Sequence, residues 1–228
     1  DLVSASAYFR TEDNARVTVG TMSWTSGYLS GLGTTTLLGG GIFDGGSANG
    51  ALYIQESPSL VNNGTVHWKQ GRMSFQTTPG FGKFVNHGAM ILDAGSAHAY
   101  ASSGTAGATV GVFNTASGSW SVNGTGTFYT SNIGFDNQGS LSVSDGRSMR
   151  FQDTGGSRLE VFTSSADSVM TATSGGYFEM QMAAFIDGLV QEGEEGSSSS
   201  AGLLRVTSRN TLLRRSSTQL PSLRASSS

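Results

Sequence analysis

Apolar and polar residues alternate along this chain in short runs, interrupted by Gly, Asn and Ser. Examples are Ala51-Leu52-Tyr53-Ile54, Thr65-Val66-His67-Trp68, Ala89-Met90-Ile91-Leu92, Trp120-Ser121-Val122 and Leu141-Ser142-Val143. Alternation puts every second side chain on one face of an extended strand, and runs of this length between turn residues predict many short strands. Helical periodicity is nearly absent from residues 1–190. One segment, residues 180–190 (MQMAAFIDGLV), admits a helix, and its apolar residues also fit a buried strand. The pattern predicts an all-β chain.

One phrase recurs: Asn-x-Gly-x-Φ-x-Φ, with Φ apolar. It reads Asn62-Asn63-Gly64-Thr65-Val66-His67-Trp68, then Asn86-His87-Gly88-Ala89-Met90-Ile91-Leu92, then Asn137-Gln138-Gly139-Ser140-Leu141-Ser142-Val143. A weaker copy, Ala116-Ser117-Gly118-Ser119-Trp120-Ser121-Val122, keeps the Gly and the alternation without the Asn. Val61, Val85, Phe113 and Phe135 precede the copies, and the glycines at 64, 88, 118 and 139 are 24, 30 and 21 residues apart. Such intervals suit one coil of a β-solenoid. Gly and Asn tolerate positive φ, so the pair is expected to turn a corner. Φ-x-Φ then aims two side chains at an interior, while stacked coils pair their backbones ~4.8 Å apart. Asn residues at matching corners are expected to stack into a side-chain ladder.

These features predict a parallel β-solenoid over residues 1–191, with about six to nine coils of ~20–25 residues. A β-sandwich or jelly roll is the alternative, since it also uses many short strands. It gives no reason for one corner phrase to recur. From Glu192 the composition changes: Glu192-Gly193-Glu194-Glu195-Gly196 leads into four serines, and Arg205, Arg209, Arg214, Arg215 and Arg224 follow with no acidic residue. Residues 192–228 are expected to be a disordered, Ser/Arg-rich flexible tail.

Composition narrows the functional classes. Only 13% of the 228 residues are charged and 33 are Gly, about half the usual charge and twice the usual glycine. The net charge of −3 argues against a nucleic-acid partner held by a basic field. No apolar run approaches the ~18–20 residues of a membrane-spanning helix, so no membrane span is expected. The absence of Cys removes disulfides, thiolate metal sites and cysteine nucleophiles. A chain starting at Asp1 rather than Met is expected to be a processed form or a piece of a longer protein.

Two features resemble a known group. Trp24-Thr25-Ser26-Gly27-Tyr28-Leu29-Ser30-Gly31-Leu32-Gly33-Thr34 is similar to the W-x-x-G-x-[IL]-S-G-x-G-T opening of exported β-helical repeat proteins, the autotransporter and filamentous-adhesin-like surface proteins. The corner phrases resemble that group's F-x-N-x-G-x-Φ-x-Φ coils, and the resemblance spans roughly residues 22–152. It implies a right-handed parallel β-helix serving adhesion, as a surface stalk, or as a carrier of other domains. The motifs encode turns rather than chemistry.

Catalytic chemistry is sparse. Asp44, Asp93, Asp136, Asp145, Asp153, Glu160 and Asp167 are scattered singly, mostly beside turn residues, whereas glycoside hydrolysis needs two carboxylates ~5–9.5 Å apart. The best acid/base cluster is Asp145, Arg147, Arg150 and Asp153; surface ion pairing is its simpler reading. His67, His87 and His98 lack metal-ligand spacing, with His67 expected to point outward. No metal and no cofactor are expected. Gly39-Gly40-Gly41 and Gly45-Gly46 lack the Gly-Lys-Ser/Thr ending of a phosphate loop and read as turns.

Trp68, Tyr100, Trp120, Tyr129 and Tyr177 include residues that an alternating strand would turn outward. Trp68, Trp120 and Tyr129 are the candidate sugar contacts, weighed against core filling. Asn63 and Asn123 open Asn-x-Thr glycosylation patterns. Leu203-Leu204-Arg205 and Leu212-Leu213-Arg214-Arg215 could meet an acidic partner or a membrane surface, against the simpler reading of a solvated linker. Arg214-Arg215-Ser216-Ser217 also has the look of a kinase site.

The expected function is a non-catalytic structural or adhesive module of a cell-surface or extracellular assembly. A carbohydrate-active enzyme or sugar-binding module, with polysaccharide as partner, is one alternative; an accessory subunit of a larger complex is another. Open solenoid ends imply other protein chains or further coils as partners.

Overall fold

The alternating runs become the three sides of a β-solenoid in the computed structural model. It describes residues 2–4, 7–47, 49–56, 58–76, 82–93, 95–101, 111–152, 161–192, 204–206 and 211–213. Among these residues every regular element is a strand. Each of three faces stacks nine strands, all in parallel register, which excludes the antiparallel sandwich.

Face 1 stacks Leu2–Ser4, Met22–Trp24, Gly40–Asp44, the first half of Thr65–Gln76, Ala89–Leu92, Ser119–Val122, Ser140–Val143, Val169–Ala172 and Leu189–Glu192. Face 2 stacks Ala7–Thr11, Gly27–Gly31, Ala51–Gln55, the second half of Thr65–Gln76, Ala97–Ala101, Phe128–Ser131, Ser148–Gln152, Tyr177–Gln181 and Leu204–Val206. Face 3 stacks Arg16–Val19, Thr34–Leu37, Ser59–Asn62, Lys83–Asn86, Gly111–Asn114, Gly134–Asn137, Val161–Ser164, Ala183–Ile186 and Thr211–Leu213. One strand from each face makes a rung, so nine rungs at ~4.8 Å give a rod about 38 Å long.

Residues 180–190 are strand, not helix: they span the end of Tyr177–Gln181, all of Ala183–Ile186 and the start of Leu189–Glu192. The solenoid also runs past residue 191. Leu204–Val206 and Thr211–Leu213 pair with the eighth rung and complete a ninth, which corrects the expectation of an unstructured tail for those six residues. The backbone of rung eight offers them parallel pairing partners on faces 2 and 3. The rest of the tail lies outside the described residues.

Inward positions alternate with outward ones on every face and enclose a largely apolar column. Aromatic rings run along its axis. Trp24 meets Phe43 edge-on at 5.6 Å, Phe43 meets Trp68 at 6.4 Å, and Trp68 meets Trp120 at 6.4 Å. Trp120 then contacts Phe135 at 5.4 Å, which stacks on Phe162 at 5.9 Å. Each rung thus supplies little apolar mass, but stacking makes one continuous core.

The corner between faces 3 and 1 is built differently from the sequence expectation. The corner glycines, Gly64, Gly88, Gly118 and Gly139, do not occupy the positive-φ region. They are glycine because rungs approach closely there. A Cβ on Gly88 would lie 2.0 Å from the Gly64 carbonyl oxygen, and one on Gly139 would lie 2.1 Å from that of Gly118. Asparagine holds the turn. Asn62 Nδ2 donates to the Gly64 carbonyl at 3.0 Å, and the Gly64 amide donates back to Asn62 Oδ1 at 3.1 Å.

The expected ladder forms at this corner. Asn62 Nδ2 donates to Asn86 Oδ1 at 2.9 Å, Asn86 to Asn114 at 2.9 Å, and Asn114 to Asn137 at 2.8 Å. Asn137 Nδ2 then reaches Ser164 Oγ at 3.2 Å. All four asparagines are fully buried. The amides of Asn62, Asn86 and Asn114 also donate to backbone oxygens: Asn86 Nδ2 reaches Gly88 O at 3.0 Å and Ser119 O at 2.9 Å.

Candidate functional site

Outward side chains carry whatever chemistry this rod offers, and period-two alternation decides which they are. Trp68 shares the inward face of its strand with Val66, and Trp120 shares that of Val122. The two indoles are 1% and 2% exposed, so neither can stack on a sugar. Trp68 Nε1 is satisfied internally by the Gln70 carbonyl at 3.2 Å. Both residues fill the core, because one large ring per inward site is what a narrow column needs. Tyr129 does point outward, in the strand Phe128–Ser131. The side chain of Tyr100 lies outside the described residues.

On face 2 the register aligns Arg72, His98, Tyr129, Arg150, Glu179 and Arg205 in one outward row. The Arg150 guanidinium sits 5.6 Å from the Tyr129 ring centroid and 5.9 Å from that of Tyr177. Its Nη2 donates to the Tyr177 hydroxyl at 2.7 Å, and its Nε pairs with Glu179 Oε2 at 3.1 Å. Arg205 stacks on Tyr177 at 3.9 Å. Burial opposes ionisation of Tyr177, yet hydrogen bonds from Arg150 and Ser148 and the charges of Arg150 and Arg205 outweigh it, so its pKa lies below the ordinary phenol value. The hydrogen bond to Tyr177, followed by the charges of the row, outweighs burial and raises that of Arg150. The cations, rings and carboxylate satisfy one another. This row fastens rungs together.

Of the acid/base cluster read from sequence, the described members Asp145 and Arg150 bond to different partners. Asp145 sits in a turn at φ 53° and accepts a hydrogen bond from Ser144 Oγ at 3.3 Å, while Arg150 pairs with Glu179. Arg147 Nε is buried without a hydrogen-bond partner. Asp153 lies outside the described residues. Asp145 lies in a turn at a corner, whereas Arg150 is mid-strand on face 2.

The histidines are separated as well. His67 points outward on face 1 and bonds through Nδ1 to the Asp93 carboxylate. His87 Nδ1 meets Thr115 Oγ1 at 2.9 Å. Burial, reinforced by the Arg72 charge, lowers the His98 pKa to about 4. Its Nε2 contacts Ser131 Oγ at 2.9 Å. Among the described residues no group of three or more His, Asp or Glu converges in a way that could hold a metal ion. Asn63 and Asn123 are exposed, and their backbone amides pair with the carbonyls of Leu37 and Leu92.

Two outward features were not legible in the sequence. Tyr8, Tyr28 and Tyr53 stand in register on face 2, with Tyr28 and Tyr53 stacked at 4.7 Å and 19°. Tyr28 and Tyr53 cover each other's faces, whereas Tyr8 is tilted by 45° against Tyr28 and is 57% exposed. On face 3 a cleft of about 320 Å³ opens between rungs six and eight. Asp136, Gln138, Thr163, Phe185 and Asp187 line it, and Phe185 is 46% exposed. Asp136 accepts from Thr163 Oγ1 at 2.9 Å and from Gln138 Nε2 at 3.2 Å. Among the described residues no Lys or Arg lines it. Its members are scattered over some fifty residues of sequence, and only the register brings them together.

No protein-family model, curated protein sequence or solved structure matches the chain.

Proposed function

We propose that this chain is a non-catalytic structural or adhesive module of a cell-surface or extracellular assembly. The observation that carries the reading is the buried asparagine ladder, continuous over four rungs and flanked by an unbroken aromatic column. Such a rod resists bending and gains stability from each added rung, as a spacer or stalk requires. The self-satisfied row on face 2 supports the same reading, since its charged groups are committed to holding rungs together.

The first rung adds a proposal about partners. Among the described residues, Leu2–Ser4, Ala7–Thr11 and Arg16–Val19 each pair along one edge only, which leaves three parallel edges open to further strands. Other chains or further coils fit there, which also accommodates an accessory subunit within a larger complex. Two measurements test the reading. Protease shaving and antibody labelling of intact source cells are expected to place the chain at the surface; a wholly intracellular location overturns it. Reducing-sugar release from neutral and uronic polysaccharides is expected to stay at background; cleavage overturns the non-catalytic half.

A further inference from the structure

All six tyrosines of the chain stand on strands of face 2. Register sorts the five whose side chains are described into two kinds. Tyr129 and Tyr177 lie two rungs apart, and the Arg150 guanidinium sits between them, 5.6 Å from one ring centroid and 5.9 Å from the other. Arg205 covers Tyr177 as well, at 3.9 Å. A cation over a ring opposes removal of an electron from it. Tyr8, Tyr28 and Tyr53 instead form one outward row on consecutive rungs, where ring meets ring. Among the described residues no cation–ring contact falls on these three. Tyr28 and Tyr53 are stacked, with centroids 4.7 Å apart and 19° between their planes, and both are half-buried, so each reaches solvent. Tyr8 is tilted at 45° and lies 5.9 Å from Tyr28. The chain has no cysteine, so no disulfide can join its rungs.

We propose that Tyr28 and Tyr53 are an oxidative coupling site, where an external one-electron oxidant, a peroxidase fed by hydrogen peroxide, staples rung two to rung three as dityrosine. Each phenol gives one electron to the oxidant and its hydroxyl proton to water. Hydrogen peroxide takes up the two electrons and two protons and becomes two molecules of water. The unpaired spin of each phenoxyl radical resides partly on the ring carbons next to the one bearing oxygen. One such Cε from each ring forms the new carbon–carbon bond. The hydrogens on those two carbons then move to the oxygens, which restores both phenols. Stacking holds the two rings together before oxidation, so their coupling outruns the encounter of radicals on separate chains. The bond closes a covalent loop from residue 28 to residue 53 and, as a disulfide does, restricts the unfolded chain. This inference goes beyond the functional reading and stands apart from it, since its test reads ring chemistry rather than location.

Peroxidase and hydrogen peroxide acting on the full chain, mixed as heavy- and light-isotope protein, test it. The expected product shows dityrosine fluorescence, has lost two hydrogen atoms per chain, and yields a linked peptide pair carrying Tyr28 and Tyr53 of one isotope. Tyr28→Phe and Tyr53→Phe keep the ring and its packing but remove the phenol. Each is expected to cut the intrachain product roughly tenfold or more, whereas Tyr129→Phe leaves it unchanged. In urea, the cross-linked wild type should unfold at a higher midpoint than Tyr28→Phe protein treated in the same way. No dityrosine, a product chiefly between chains, or a main intrachain product at another pair such as Tyr8–Tyr28 overturns the proposal. So does a product that survives either phenylalanine change, and equal midpoints overturn the staple.

Discussion

Asn86→Ala removes the middle of the ladder, and its cost follows from the contacts. Asn86 accepts from Asn62 Nδ2 at 2.9 Å and donates to Asn114 Oδ1 at 2.9 Å, Ser119 O at 2.9 Å and Gly88 O at 3.0 Å. Asn62 Nδ2 keeps the Gly64 and Ala89 carbonyls, and Gly88 O keeps the Ser119 amide. Asn114 Oδ1 loses its ladder donor inside the core. One orphaned buried acceptor, the lost bonds and the vacated amide volume together cost about 3–4 kcal/mol. With a urea dependence of about 2–3 kcal/mol per molar, the midpoint falls by roughly 1–2 M. Urea unfolding followed by far-ultraviolet circular dichroism measures this, with exposed Asn63→Ala as the control, expected within about 0.5 kcal/mol of wild type. Asn86→Asp keeps the shape but points a carboxylate at three carbonyl-type oxygens. Burial and those oxygens raise its folded pKa above the unfolded value near ~3.9. The variant's penalty is therefore full above the folded pKa and shrinks as pH falls through it. An alanine variant no weaker than the control, or an aspartate variant with no such recovery, refutes the argument.

Other consequences are as direct. Trp68→Ala empties a core site bounded by Phe43, Trp120 and Phe128, and costs about 3–5 kcal/mol in the same urea assay. Gly88→Ala sets a Cβ against the Gly64 carbonyl, where backbone must move, so its thermal midpoint drops well below wild type. Burial and the Arg72 charge lower the His98 pKa to about 4, and a nuclear magnetic resonance titration is expected to show it. Because that value lies below its unfolded 6.5, its contribution to stability is full above about 6.5 and is lost as pH falls towards 4; His98→Gln flattens this part of the profile. Arg205→Ala removes the cation on Tyr177, so hydrogen exchange quickens in residues 204–206 and stays unchanged in Phe128–Ser131.

The corner phrase made the fold legible because its requirements are local. Asn-x-Gly brackets one turn, and Φ-x-Φ sets the inward face of the strand that follows. The weak fourth copy shows where local reading stops. Its ladder residue is Asn114, four residues before Gly118, where the other copies have two. A two-residue insertion in the corner moves the Asn without removing it: Asn114 Nδ2 still reaches Gly118 O at 3.3 Å. Phe113, the apolar residue before that corner, marked the position. The reason for the corner glycines is not local either. Close approach of successive rungs is a contact between residues some twenty to thirty positions apart, and nothing within one turn announces it.

Outward chemistry was less legible, for a related reason. Alternation alone places Trp68 beside Val66 on the inward side and His67 outward, so the local rule already argued against an exposed indole. Tyr129, with Phe128 and Thr130 inward on either side, obeys the same rule and does face out. Which outward residues become neighbours is a question of register, and register depends on corner lengths that vary from rung to rung. The ladder steps of 24, 28, 23 and 27 residues are the measure of that variation. Arg150 therefore meets Glu179 rather than the nearer Asp145, and Asp136 shares a cleft with Asp187 across two rungs. In a solenoid, each coil reads as a short local sentence, but a surface site is spelled vertically. Its letters can be collected only once every corner has been counted.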